Sequence, residues 1–257
     1  MTQKINEILT KIKLTRPFIL NITDYYALEL ITSGVRCLGA FPIMSHAEQE
    51  IEELLKLSKS VVINLGKLDE QLIPLSHRIC RTANELKIPI ILDPVGTGAS
   101  RYRTDAAMSI VENHKIAIVR GYPNEIAGLL TGQLDTPNHF PIDTDTVIKN
   151  AKSLSTKYKV AVVVSGRRHI VIDAHQIDQF NFDSALLQKV AGIGSLLSSI
   201  IGVFHAIEKD RFLAAHSAVN FYANCVGPTS SKSTGPASLI TGLIDKMYFY
   251  SSSAISY

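Results

Sequence analysis

The sequence predicts an α/β fold, a three-layer α/β/α sandwich around a mostly parallel sheet. Three observations predict it. Short runs rich in Ile and Val recur along the chain and end at a polar residue or a glycine. Their apolarity is continuous, which suits parallel strands covered on both faces, where a half-exposed strand would alternate. Helical stretches lie between them at the spacing of strand–helix–strand units.

The chain opens on "MTQKINEILTKIKL", in which Ile5, Ile8, Leu9 and Ile12 share one helix face and charges occupy the rest. This reads as an amphipathic helix and not as a signal peptide. "FILNI" (18–22) is the first strand, and "SVVINLG" (60–66), "IPIILDPV" (88–95), "IAIVRG" (116–121) and "VAVVVSG" (160–166) follow. "HAEQEIEELLKLS" and "LIPLSHRICRTANELK" read as helices between strands. "RHIVIDAHQIDQFN" alternates about an Asp-Ala-His turn, the pattern of an antiparallel hairpin added near a sheet edge. Three helices are expected after it, over 193–207, 211–224 and 237–249. The stretch "VGPTSSKSTGPAS" (226–238), dense in Gly, Pro and Ser, is expected to be a loop, mobile or shaped to a ligand.

Composition narrows the class. The 257 residues are 46% hydrophobic and 19% charged, with no Gly/Ser or Pro-rich linker, so one domain spanning 1–257 is expected. A net charge of +3 and no basic cluster beyond "GRRH" give no reason to expect nucleic acid or a membrane surface as partner. Cys37, Cys80 and Cys225 are odd in number and far apart, which argues against a disulfide framework or a zinc site. No apolar run reaches membrane-spanning length. A soluble, cytoplasmic protein is the expectation.

In an open α/β sheet, ligands gather beyond the carboxyl ends of the strands. Here those ends carry Asn21–Asp24, Asn64–Lys67, Asp93–Ser100, Arg120–Glu125 and Ser165–Arg167. Asp93, before a turn holding Gly96 and Gly98, could hold a hard cation such as Mg²⁺, or it could cap the next helix. Arg120 is placed for a phosphate. Glu125 opens a helix, where a carboxylate also complements the dipole. "GIGS" (192–195) precedes the apolar run "LLSSIIGVFHAI", which reads as a buried helix. The free N–H groups of Gly192, Ile193, Gly194 and Ser195 at its mouth could stabilise an anion, or the stretch could be a tight turn with a serine cap. Gly194, Ser198 and Gly202 recur every fourth residue as a small-residue ridge. No Walker-type phosphate loop, GxSxG elbow or HExxH is present, and "GIGSLL" lacks the third glycine of a dinucleotide fingerprint.

Several of these segments resemble a known family. "GAFPIM" (39–44), "VVINLGKL" (61–68), "ANELKIPIILDPVGTGAS" (83–100), "VRGYPNEI" (119–126), "VSG" (164–166) and "VAGIGS" (190–195) stand in the order and spacing of hydroxyethylthiazole kinases, of the ribokinase-like superfamily. The resemblance covers nearly the whole chain. It implies ATP as co-substrate, Mg²⁺ as cofactor, and transfer of a phosphoryl group to the hydroxyl of 4-methyl-5-(2-hydroxyethyl)thiazole in thiamine salvage. It also implies a homotrimer with active sites at subunit boundaries. Carried over by position, Met44 and Gly192 match substrate contacts, and Arg120 and Ser165 match nucleotide contacts. Asp93 and Glu125 match the acidic pair that organises Mg²⁺, and Gly192 begins the anion hole.

The chain also departs from the family pattern. Ser195 stands where GTGC carries a catalytic cysteine, Tyr122 where RGN carries an asparagine, Asp24 where Thr-Asn is usual, and Lys67 where NxGT has threonine. Serine can hydrogen-bond an attacking hydroxyl but is a poor base at neutral pH. The expectation is a kinase of low turnover whose phosphate cradle is intact and whose base is compromised. Two alternatives stand beside it. One is a non-catalytic ligand-binding homologue, and the other is a kinase for a more polar small alcohol favoured by Asp24 and Lys67.

Overall fold

The computed structural model describes residues 2–134, 142–166, 168–181 and 185–253. Eight strands among them form one sheet: β1 (Phe18–Ile22), β2 (Phe41–Met44), β3 (Ser58–Asn64), β4 (Ile90–Asp93), β5 (Ile118–Gly121), β6 (Ala161–Val164), β7 (Arg168–Asp173) and β8 (Gln176–Asn181). Their order is β2-β1-β3-β4-β5-β6-β7-β8. The first six are parallel, and β7 and β8 continue the sheet antiparallel. Chain order reverses at β1, which has β2 on one side and β3 on the other, so the crevice at the β1/β3 carboxyl ends is the switch point where such sheets bind ligands.

Continuous apolarity is explained by where alternate side chains go. Ile19, Val62, Ile91, Ile118, Val163 and Val171 enter one core, and their neighbours Leu20, Val61, Ile90, Val119, Val162 and Ile170 enter the other. The first core is closed by α1 (Thr2–Thr15), α2 (Leu28–Cys37), α8 (Ile193–His205), α9 (Arg211–Ser230) and α10 (Pro236–Ser253). The second is closed by α3 (Ile51–Leu57), α4 (Leu72–Glu85), α5 (Arg101–Asn113), α6 (Pro123–Thr131) and α7 (Thr144–Tyr158). Two helical layers flank one sheet, as expected, and Ile5, Ile8, Leu9 and Ile12 of α1 are buried together. Among the described residues no helix is long and apolar enough to cross a membrane.

Two elements differ from the sequence reading. Strand β2 is not evident from composition because "FPIM" is short and half-buried, and Pro42 is tolerated there only because the strand lies at the sheet edge. The stretch 226–238 is not a loop. Helix α9 continues through Pro228 to Ser230, α10 begins at Pro236, and only a short turn separates them. Polar side chains replace the missing backbone order: Thr229 Oγ1 donates to the Cys225 carbonyl at 2.7 Å, and Ser238 Oγ accepts from the Thr234 and Gly235 amides, each at 3.1 Å. Arg167, at one of the strand ends singled out in the sequence, lies outside the described residues.

Candidate active site

The strand tips meet the start of α8. That helix lies directly on the sheet because its ridge has almost no side chains. A Cβ on Gly202 would come within 2.8 Å of Val62 Cγ2, and one on Gly194 within 2.4 Å of Arg120 Nη1. Ser198, between them, is fully buried and its Oγ donates to Asp93 Oδ2 at 2.8 Å. Ser199 Oγ donates to Asn21 Oδ1 at 2.8 Å, tying the helix to β1 as well.

Asn64, at the tip of β3, organises the centre. Its Nδ2 donates to Asp93 Oδ2 at 3.0 Å and to Ser195 Oγ at 3.1 Å, while its Oδ1 accepts the Gly66 amide at 2.8 Å. The amide can face only one way, because a backbone N–H must donate and a carboxylate must accept. Ser195 Oγ therefore accepts a hydrogen bond from Asn64 and keeps its own hydroxyl hydrogen free to donate. In this arrangement Ser195 is a hydrogen-bond donor and not a base.

Asp93 is completely buried. Burial raises its pKa, opposed by the charge of Arg120 and by hydrogen bonds from Ser198 and Asn64. Arg120 Nη1 lies 3.5 Å from Asp93 Oδ2, and its Nε donates to Ser165 Oγ at 2.9 Å. Burial works against the Arg120 charge, yet Asp93, Tyr122 and Glu125 raise its pKa above the ordinary arginine value. The Tyr122 ring supports the guanidinium at 4.6 Å.

Glu125 sits in the first turn of α6. Its Oε2 accepts the Tyr122 amide at 2.7 Å and its Oε1 accepts the Gly96 amide at 2.8 Å, so it caps the helix and fixes the turn after β4. Its pKa is raised by burial and then by the negative charge of Asp93. At the mouth of α8, Gly192 adopts φ 79°, and the first helical bond is from the Leu196 amide to the Gly192 carbonyl at 2.9 Å. The amides of Ile193, Gly194 and Ser195 precede that bond and have no acceptor among the described residues.

The structure thus joins Asp93, Arg120 and Ser165 by direct contact, sets Gly194 against Arg120 and ties Ser195 to Asp93 through Asn64, with Glu125 behind the β4 turn. Met44 and Gly192 lie to the other side. Met44 ends β2 and packs on the α8 core, and Gly192 sits against Ala27, where a Cβ would lie 3.0 Å from the Ala27 side chain. The roles of Asn64 and Ser198 are not evident from composition, since each is recognised only by what it touches across the fold. Arg103 was also missed: from α5 it donates to the Leu65 (2.8 Å), Val95 (3.1 Å) and Gly66 (2.9 Å) carbonyls, stitching together the loops after β3 and β4.

A divalent cation fits this donor set. Asp93 Oδ1 is buried and has no hydrogen-bond partner among the described residues, and it shares the site with a second buried carboxylate whose charge it opposes. No group of three or more His, Cys, Asp or Glu converges among the described residues, so any such ion would take most of its ligands from water and phosphate, as Mg²⁺ commonly does.

Comparison with known proteins gives a consistent result. The profile of the hydroxyethylthiazole kinase family matches residues 9–252. A hydroxyethylthiazole kinase of Methanococcus maripaludis is 33% identical over 242 residues, covering 93% of this chain and 91% of that protein. The corresponding protein of Brachyspira hyodysenteriae is 29% identical over 249 residues, covering 96% and 94%. A solved hydroxyethylthiazole kinase structure from Pyrococcus horikoshii superposes with a TM-score of 0.87 at 29% identity, covering 95% of this chain and 92% of that one. A ribokinase-like protein of Enterococcus faecalis, at 15% identity and a TM-score of 0.68 over 95% and 94% of the two chains, shares the fold.

Proposed function

The chain belongs to the hydroxyethylthiazole kinase family and is a small-molecule kinase, and from that premise we propose that it phosphorylates the hydroxyl of 4-methyl-5-(2-hydroxyethyl)thiazole with ATP, a step of thiamine salvage. The alcohol oxygen forms the new bond to the γ-phosphorus as the bond to the bridging β–γ oxygen breaks, and the alcohol proton leaves to solvent or phosphate. The observation that carries this reading is the Asn64 clamp, which ties Ser195 to Asp93 at the helix mouth where three amides are unpaired among the described residues.

Phosphoryl transfer depends mainly on position and charge stabilisation. The Ile193, Gly194 and Ser195 amides form the anion hole with Gly192, Arg120 and Ser165 serve the nucleotide, and the Ser195 hydroxyl donates to oxygen at the reacting centre. Met44 and Gly192 face the acceptor. Asp93 and Glu125 would hold Mg²⁺, which supplies neutralising charge to the phosphates when bound. General-base help is typically worth about 10²–10⁴-fold, so its loss at Ser195 lowers turnover without removing it.

One sheet carries both donor and acceptor residues, which supports reading 1–257 as a single kinase domain. Phe18 and Phe41 stack at 5.3 Å on the β1/β2 edge with both rings exposed, which supports the homotrimer the family resemblance implies. A cytoplasmic setting accords with the reduced cysteines Cys37, Cys80 and Cys225.

The test is ADP release from MgATP with the thiazole alcohol as acceptor, beside calorimetric titration of ATP. Acceptor-dependent ADP release that disappears in Asp93→Asn and on chelation of Mg²⁺ is expected. Failure to bind ATP at millimolar concentration overturns the reading.

A further inference from the structure

We infer that Asp24 selects the acceptor, so that the alcohol this site prefers carries an N–H donor which pairs with the free oxygen of the Asp24 carboxylate. The inference rests on the kinase reading and replaces its acceptor, the thiazole alcohol, with the more polar class weighed above: small alcohols on an N–H-bearing, readily cationic ring or chain.

Thr23 and Asp24 follow the tip of β1 at the switch point, and each is only 2% exposed. Thr23 Oγ1 and Asp24 Oδ2 are both buried with no hydrogen-bond partner among the described residues. Two adjacent orphaned polar atoms at a ligand crevice are rare in a folded chain and point to a partner that arrives with the ligand. The place for this carboxylate is built. A Cβ on Gly66 would lie 2.0 Å from Asp24 Oδ2 and 2.9 Å from Asn64 Oδ1, so only glycine leaves room for Asp24 beside the residue that holds Ser195.

The surrounding groups leave Asp24 without a counter-charge. It forms no ion pair among the described residues. Lys67, next to Gly66, places its ammonium over the Tyr25 ring at 4.3 Å, and the Arg103 guanidinium is spent on backbone carbonyls. His46 is kept from charging by burial and then by Lys67. Tyr26 lies near the carboxylate: burial and then the Asp24 side chain push the phenol pKa up to about 12, so it stays neutral. A buried carboxylate short of partners favours a ligand that brings a donor and disfavours one that presents a lone pair. The thiazole ring has a nitrogen lone pair and no N–H.

The experiment compares 4-methyl-5-(2-hydroxyethyl)thiazole with 4-methyl-5-(2-hydroxyethyl)imidazole, in which N–H replaces the ring sulfur. Binding by calorimetry and kcat/KM by ADP release are read separately, on the wild-type chain and on Asp24→Asn. The expected result is a preference of about tenfold or more for the imidazole in the wild type, lost or reversed in Asp24→Asn. A wild-type preference for the thiazole, or binding of neither alcohol, overturns the inference, as does a substitution that changes both alcohols alike. If Asp24→Asn does not fold, the wild-type ratio decides. Tighter imidazole binding without any ADP release keeps the inference and removes the kinase reading, whereas phosphorylation favouring the thiazole does the reverse.

Discussion

Ser195 shows how one neighbour can decide a residue's chemistry. Because Asn64 already donates a hydrogen bond to it, the hydroxyl hydrogen is left free to donate. Ser195→Ala is therefore expected to lower kcat about 10²-fold, the usual effect of removing one such donor, with ATP affinity little changed in calorimetry. Ser195→Asp is expected to raise kcat. The new carboxylate would keep the Asn64 hydrogen bond, and the nearby Asp93 charge would push its pKa toward neutrality, where a base works best. No gain in a variant shown to fold and bind ATP counts against this. Asn64→Leu leaves Asp93 and Ser195 short of a donor and should cost about 1–3 kcal/mol in urea unfolding. The placing of Asp93, Arg120 and Ser195 at strand tips and a glycine turn is legible in the sequence, because a charged or unusual residue there draws notice. Asn64 is neutral and sits in an ordinary strand, and its partners lie 29 and 131 residues away.

Helix α8 and the α9–α10 pair show where element-level reading succeeds and where it fails. The four-residue spacing of Gly194, Ser198 and Gly202 announced a close approach, and the ridge does lie against the sheet. What the approach serves differs along the helix. Gly202→Ala meets Val62 and should lower stability by about 1–3 kcal/mol in thermal or urea unfolding, with ATP binding retained where the protein is folded. Gly194→Ala meets Arg120 and should weaken ATP binding severalfold in titration, beyond any loss of stability. The reading of 226–238 as a loop fails because Gly227 and Pro228 usually break helices. Here Cys225, Val226 and Thr229 keep a buried face in contact with the core while serine and threonine hydroxyls take up the unpaired backbone groups. Propensity loses to packing.

At the scale of the whole molecule, buried histidines and buried acids pull the pH dependence of stability in opposite directions. Burial, then the charge of Arg120, holds His169 down to about 3, and burial lowers His205 too. An unfolded histidine titrates near the ordinary value of about 6.5, so the stability from a neutral His169 is full above that pH and drains away as pH falls toward 3. Asp93 and Glu125 have raised values, and their contribution runs the other way, present at low pH and lost as pH rises through them. His169→Gln should flatten the fall in Tm between about pH 6.5 and 4.5, and an unchanged slope would assign the acid sensitivity elsewhere. The exposed Phe18–Phe41 stack makes a second global prediction, that Phe41→Lys lowers the mass seen in sedimentation or light scattering. Layer architecture was readable because hydrophobic runs report burial on both faces. The strand order was not, since β2 is short and half-buried and only its pairing reveals that the chain doubles back at β1. Under the proposed function that reversal would divide labour across the sheet: the groups assigned to ATP hang from β4–β6 and α8, and those assigned to the alcohol, Gly192 apart, hang from β1–β3. Evolution can therefore retool one side without disturbing the other. A laboratory selection for growth on unfamiliar alcohols should gather its mutations around positions 23–26, 44–46 and 66–67, and leave 93–125 and 193–202 almost untouched.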